Sequence, residues 1–370
     1  MNTATVDKKE FVKRLATVAR ITSTKSILPI LYNVYIGIVP RAVLLRSTDL
    51  EIGELSVIAA TTEGEGCAVT IPASMMLKLL RKAPKSADTI TLSVDEKDVA
   101  LDVTVGTLSL HLKGIDAEEF PCWPIMEADI VLSIAPDELM SALQQVLPAT
   151  AQDEDRPILM GVNFSMSDGI LTLAAADGYR LAVRELAVDY TGEPFKVIVP
   201  GRMLAEIARE LKGQTEIVKI SISEDWIKAE TETLTVIAAP VSGYFPDYKV
   251  IIPAECATHV KFLAENLLEA LSVVEPISNE NAHIVRLSVN GSLTVTATSS
   301  EMGTASQSMG AKMEGEGGEI AFNVRYLKEA IKCIDSEVVS MGMNTWEMPG
   351  IFRPVGNDNY LHVLMPMKLE

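Results

Sequence analysis

The side chains able to do acid–base, nucleophilic or metal chemistry are scattered along these 370 residues. His111, His259, His283 and His362 stand far apart, and so do Cys67, Cys122, Cys256 and Cys333, with no Cys-x-x-Cys pair and no histidine at metal-ligand spacing. Neither a disulfide framework nor a zinc site is expected, and the thiols should be reduced. Asp153-Glu154-Asp155 is the one run that could hold a cation and serve a metal-dependent nuclease. Three consecutive carboxylates diverge on any regular backbone, however, and lack the alternating ligands of a calcium loop, so a solvated loop is expected there. No P-loop, Gly-x-Ser-x-Gly elbow, His-Glu-x-x-His or strand-linked Gly-x-Gly-x-x-Gly occurs, and the Gly315–Gly318 cluster carries Glu316 without a Lys or Ser/Thr for a phosphate. The expectation is a protein that binds rather than catalyses, with no catalytic residue, metal or cofactor.

Charge placement says more. The net charge of -18 argues against a simple duplex binder, but an acidic balance leaves room for a local basic face. Lys78, Arg81, Lys82 and Lys85 fall at i, i+3, i+4 and i+7, opposite Met76, Leu79, Leu80 and Ala83, so one helix has a basic side and a packing side. Arg325, Lys328 and Lys332 repeat this, and Arg202 with Arg209 is a thinner copy. Segments 7–25, 72–85, 200–212 and 323–332 together hold half of the 32 lysines and arginines and only five acids. The helical stretches 136–148 and 263–275 have no Lys or Arg, so any basic lining is discontinuous, which suits loose, sequence-blind phosphate contact.

A third candidate is Leu173–Val183, where an apolar alternation stops at Asp177-Gly178 and restarts at Leu181. Asp-Gly favours a tight turn with positive φ, which would display Tyr179 and Arg180 between two strands.

The elements around these residues recur at a period of about 130 residues, an internal repeat at domain scale. Each unit opens with an amphipathic helix (from Asp7, Pro136 and Leu263), continues through alternating strands to a turn (Asp49, Asp177, Ser300), and later launches a second helix (Pro72, Pro200, Asn323). The Leu263 helix should end near Val274, and strands are expected at 31–38, 42–46, 90–94, 99–105 and 108–112. Linkers should fall near Pro121–Glu127 and Pro253–His259, giving domains 1–125, 126–255 and 256–370. The order of elements implies antiparallel sheets with helices on one side, an α+β class. At 48% hydrophobic residues the chain should fold, and the apolar stretch Ile27–Leu45 is interrupted by Pro29, Asn33, Pro40 and Arg41. No signal peptide and no membrane span are expected, so a cytoplasmic location follows.

The Asp177–Ala182 segment resembles the Asp-Gly-His-Arg-Leu-Ala signature of the bacterial DNA polymerase III beta subunit family, the sliding clamps. Val363-Leu-Met-Pro-Met-Lys-Leu369 is similar to that family's closing Met-Pro-Met-Arg-Leu. Ile27–Asn33, Tyr244-Phe-Pro-Asp-Tyr248 and Phe322-Asn-Val-x-Tyr326 resemble three further family motifs in the same order, so the likeness spans nearly the whole chain. Ala176 stands where Thr is common, Tyr179 where His is common, and Glu370 follows the usual last Leu.

The resemblance implies three repeated clamp domains with sheets outside and two helices each inside, half of a ring that a second identical chain closes head to tail. It implies a non-enzymatic homodimer around double-stranded DNA that tethers the replicative DNA polymerase and other clamp-binding proteins and is opened by a clamp loader. A partner peptide would dock against Leu159, Gly178, Tyr179, Arg180, Leu181, Pro246, Ile251, Val363, Leu364, Met365, Pro366 and Met367. Apolar side chains would form the floor, and Tyr179 and Arg180 a polar rim. Lys25, Lys78, Arg81, Lys82, Arg202, Arg209, Arg325, Lys328 and Lys332 would face DNA, and Leu108 and Leu110 would meet Pro276 and Ile277 of the second chain. A clamp-derived duplicate, an interaction scaffold with altered partners, is the alternative.

Overall fold

The computed structural model describes residues 2–22, 26–153, 155–278 and 283–368. Two compact units are present, one made of 1–135 with 215–240 and the other of 136–214 with 241–370.

In the first unit, Asp7 caps α1 (Lys8–Val18) by accepting from the Glu10 amide at 2.8 Å, and Phe11, Leu15 and Val18 are fully buried beneath it. Its partner α2 (Ala73–Leu80) starts one residue later than expected, with Pro72 as the cap. The helices pack beside a five-stranded sheet, ordered Thr61–Glu63, Thr3–Asp7, Thr89–Asp95, Ala100–Val105, Leu108–Lys113. An eight-stranded sheet runs Ile130–Ile134, Val218–Ile222, Ile227–Glu230, Leu234–Ala238, Ile52–Ala59, Ala42–Thr48, Asn33–Val39, Cys67–Pro72.

The second unit holds α3 (Pro136–Val146) packed on α4 (Gly201–Glu210), and α5 (Ala264–Ser278) packed on α6 (Val324–Cys333). Its nine-stranded sheet is ordered Phe195–Pro200, Gly161–Ser167, Ile170–Ala176, Arg180–Ala187, Tyr360–Leu364, Gly350–Pro354, Val338–Met343, Thr258–Leu263, Lys312–Glu314. A four-stranded sheet runs Gly303–Met309, Leu293–Ser299, Ile284–Val289, Gly318–Asn323. Neighbouring strands pair antiparallel in both large sheets, as the α+β expectation required.

One joint occurs twice and fixes the site. Leu234–Ala238 pairs with Ile52–Ala59, and Tyr360–Leu364 pairs with Arg180–Ala187, so a strand from a later repeat extends a sheet begun by the preceding one. This pairing explains why residues 215–240 belong to the first unit.

Several expectations were displaced. Pro29–Tyr32 is a 3₁₀ turn and the strand begins only at Asn33, because Pro29 has no N–H for a ladder. Thr3–Asp7 is a further strand, whose short Thr-Ala-Thr-Val alternation buries Ala4 and Val6. The third-repeat turn is held by Ser299, not Ser300: its hydroxyl accepts from the Glu301 and Met302 amides at 3.3 Å each. Helix α5 continues past Val274 through Pro276 to Ser278, so Pro276 and Ile277 lie in its last turn.

Candidate functional site

Asp177 builds the site from one carboxylate. Its Oδ1 accepts from the Tyr179 amide at 2.9 Å and the Arg180 amide at 3.0 Å, while its own N–H donates to the Arg180 carbonyl at 3.3 Å. Gly178 takes φ +92°, and a Cβ there would lie 2.9 Å from Arg156 Nη1, which donates to the Asp177 carbonyl at 2.8 Å. The turn holds Tyr179 54% exposed, with its ring stacked on Tyr326 of α6 at 6.0 Å between centroids.

The chain's end is pinned beside it. Leu181 faces Val363 and Arg180 faces Leu364 across the strand pair, the Met365 amide donates to the Tyr179 carbonyl at 2.9 Å, and the Met367 amide donates to the Ala321 carbonyl at 2.8 Å. Met365 is 39% exposed, and Pro366 and Met367 are half-buried. Leu181 and Val363 form an apolar cluster with Ala174 and Val183, on which Phe245, Tyr248 and Ile252 pack. Successive strand residues face opposite sides, so Leu364 belongs to the other face, with buried His362, and is not part of that floor.

Beside the cluster opens a cleft of about 910 Å³. Val183, Phe245, Tyr248, Ile252 and Leu361 belong to both, and Pro246 is the one residue of the expected pocket that lines the cleft. Ile251 is 41% exposed on the same segment, and Leu159 is half-buried in the 3₁₀ turn Pro157–Met160. This cleft is therefore a neighbour of the expected pocket, sharing an aromatic wall with the cluster beneath it.

Arg180 corrects the expected rim. Its side chain is only 8% exposed, its Nε donates to Asp177 Oδ2 at 3.0 Å, its Nη1 pairs with Glu329 of α6, and its guanidinium lies 4.5 Å from the Tyr326 ring centre. It anchors the turn to α6 and has little left to offer a ligand. Burial, with Asp177 nearby, pushes the Tyr326 hydroxyl pKa up, and burial together with Glu185 does the same at Tyr248, so both stay neutral hydrogen-bonding groups. On the opposite face His362 is fully buried, bonded to the Tyr360 hydroxyl at 2.8 Å, and burial with the Arg180 charge holds its pKa down at about 3. Tyr326, Arg156, Glu329 and the wall Phe245, Tyr248, Ile252 were not expected as site residues. Tyr326, Phe245 and Tyr248 sat within motifs already read, but their roles depend on which strands meet.

Family descriptions match consecutive stretches of the chain: the N-terminal, central and C-terminal domains of the DNA polymerase III beta subunit match residues 3–124, 133–247 and 249–368. The chain belongs to the DNA polymerase III beta subunit family. It is 28% identical to the beta sliding clamp of Synechococcus elongatus over 98% of each chain, and 25% identical to that of Staphylococcus aureus with the same coverage. A griselimycin-bound DnaN sliding clamp from Pseudomonas aeruginosa superposes with a TM-score of 0.93 at 28% identity, covering 100% of both chains. A Bacillus subtilis sliding clamp, at 23% identity and TM-score 0.93, shares the fold.

On this beta-subunit fold the basic helices are real but partly self-neutralised. Lys78, Arg81 and Lys82 are exposed at the end of α2, and Arg202, Arg325 and Lys332 are exposed on α4 and α6. Lys328 pairs with Glu275 at 2.6 Å, and Arg209 pairs with Glu206. Lys25 lies outside the described residues, as do Glu154 of the acidic run and Leu369 and Glu370. Two bases of the 7–25 segment point inward: Lys8 donates to the Pro84 and Ala87 carbonyls, and Arg14, buried, pairs with Glu10 at 2.6 Å.

Leu108 and Leu110 sit on Leu108–Lys113, an edge of the five-stranded sheet, half-buried against their own core. Backbone groups, Ser109, His111 and Lys113 therefore make up most of what that edge offers. Pro276 and Ile277 end α5, which packs on Leu293–Ser299 and on Gly303–Met309, the edge of the four-stranded sheet. Among the described residues no group of three His, Cys, Asp or Glu could hold a metal, and no helix is long and apolar enough to cross a membrane.

Proposed function

We propose that this DNA sliding clamp works as a homodimeric ring: two chains close around duplex DNA, and the site at Asp177–Arg180 tethers the replicative polymerase and other proteins through linear peptides. The observation that carries the reading is the paired arrangement of that turn and the Met365–Met367 tail, with Tyr179, Met365 and Ile251 exposed and an aromatic-walled cleft opening beside the Leu181–Val363 cluster. Apolar anchors in partly open pockets with adaptable Met side chains suit capture of several related peptides. The ring would close where the Leu108–Lys113 edge meets the Gly303–Met309 edge of a second chain, with Pro276 and Ile277 behind it, a heterologous contact that closes after two copies. Exposed bases on α2, α4 and α6 would touch phosphates without reading sequence, so retention would be topological. A loader that opens the ring, and a cytoplasmic place of work, complete the proposal.

The test is retention. Fluorescent protein loaded onto closed circular DNA should co-elute with the circles in gel filtration and leave them after one restriction cut. Persistence on the linear product would mean direct affinity and overturn the topological reading.

A further inference from the structure

The first unit contains a second copy of the turn that builds the peptide site. Asp49 Oδ1 accepts from the Glu51 amide at 3.1 Å and the Ile52 amide at 2.9 Å, and the Asp49 N–H donates to the Ile52 carbonyl at 3.2 Å, the same three bonds that Asp177 makes. The strand leaving the turn again pairs with a late strand: Gly53 opposes Ile237 as Leu181 opposes Val363. A Phe-Pro segment again follows the sheet, Phe120-Pro121 here and Phe245-Pro246 there, and each late strand runs on into a proline, Pro240 and Pro366. What differs is the filling. In place of Leu181 stands Gly53, and Trp123 lies so close that a Cβ on Gly53 would be 3.1 Å from its ring. A notch of about 90 Å³ is left, lined by Leu50, Pro121, Trp123, Pro124, Trp226 and Ile237 among others.

We propose that this notch is a second docking site, taking one aliphatic side chain from a peptide segment whose neighbours are lysines or arginines. Size limits the occupant: a cavity of roughly 150 Å³ admits a benzene-sized group, so 90 Å³ admits one aliphatic side chain and no backbone. Charge selects the flanks. Among the described residues no Lys or Arg lines the notch, Glu51 does, exposed Glu118 and Glu119 lead into Phe120, and exposed Glu224 and Asp225 lead into Trp226. Leu50 is 56% exposed at the mouth although its φ of +78° suits glycine, so an apolar side chain is kept there against the backbone's preference. The proposal draws on the peptide-site reading only for the class of occupant.

The chain's three tryptophans make the test direct, since Trp123 and Trp226 line the notch and Trp346 can be replaced by Phe. The probe is acetyl-Lys-Lys-Leu-Lys-Lys-amide, with its Leu→Ser analogue as control. In Trp346→Phe protein the leucine peptide should shift tryptophan emission saturably and the serine peptide should not. Leu50→Gly and Glu51→Lys should each weaken binding by about tenfold or more. Glycine is at ease at φ +78°, so Leu50→Gly keeps the turn, and a purely structural role for Leu50 would leave the titration unmoved. Tyr179→Ala, in the other site, should not alter it. Equal binding of the serine peptide, an unchanged titration in Leu50→Gly, or a loss confined to Tyr179→Ala would each overturn the second site. The last of these would leave the first site standing.

Discussion

Leu50 and Gly178 occupy the same position in two copies of one turn, at φ +78° and +92°, yet only one of them is glycine. A side chain in the left-handed region costs roughly 1–2 kcal/mol, partly offset by the smaller entropy loss of a non-glycine on folding. Leu50→Gly should therefore raise stability by about 0.5–1 kcal/mol, read as a higher urea midpoint with unchanged slope. Gly178→Ala should do the opposite, by about 1–2 kcal/mol, because the strain returns and its Cβ meets Arg156 Nη1 at 2.9 Å.

Arg180 ties the turn to α6 through Asp177, Glu329 and the Tyr326 ring. Glu329 is 49% exposed and its share is screened, but Asp177 at 10% is not. Arg180→Met should cost about 2 kcal/mol of stability and weaken a clamp-binding peptide, because Asp177 loses its charge partner and Tyr179 its footing on α6. Arg180→Lys should recover little, since one ammonium cannot serve two carboxylates and a ring face. Isothermal titration with urea melts on the same samples separates the two effects, and full peptide affinity in Arg180→Met would rule out the positioning role.

Buried His362 imposes a pH dependence. Its pKa in the folded protein is about 3 against an ordinary 6.5, so between these values the unfolded chain binds a proton that the folded chain refuses. Stability on this account falls as pH drops below about 6.5, by up to about 1.4 kcal/mol per unit, and the group contributes nothing above that window. His362→Gln should flatten the slope between pH 6.5 and 5, where few carboxylates titrate. Parallel slopes for the two proteins would show that His362 protonates without unfolding.

The repeat, the helix faces and the Asp177 turn were legible in the sequence because each rests on local chemistry: an Asp cap, a 3.6-residue stripe, an Asp-Gly pair. What was not legible depends on strands distant in sequence. Nothing local says that Leu234–Ala238 joins Ile52–Ala59, that Arg180 turns inward to Glu329, or that Leu364 faces away from Val363. The placement of Val363 and Leu364 on one floor treated a strand as a continuous surface, when its period of two divides them.

The α2 bases offer a test of DNA contact. Arg81→Glu with Lys82→Glu should weaken binding to duplexes of different sequence alike, and two lost phosphate contacts should lower the salt slope by roughly 1.8. A sequence-selective loss, or none, would remove these residues from the DNA-facing surface.

The tail gives the sharpest test of the proposed peptide site. Leu364 is 1% exposed and completes the strand beside Arg180, so cutting after Val363 would damage the sheet itself. Cutting after Leu364 instead removes Met365, Pro366 and Met367, whose anchors are two backbone bonds, to Tyr179 and Ala321. The sheet should keep its register, and the strands Leu108–Lys113 and Gly303–Met309, the edges proposed to close the dimer, lose no residue. The chain shortened in this way should lose about 2 kcal/mol or more of affinity for a clamp-binding peptide, the scale of an interface hot spot. Fluorescence anisotropy on both proteins, with mass by light scattering, decides it. Unchanged affinity sinks the tail's role in the site, whereas lost affinity with the dimer intact assigns the loss to the pocket.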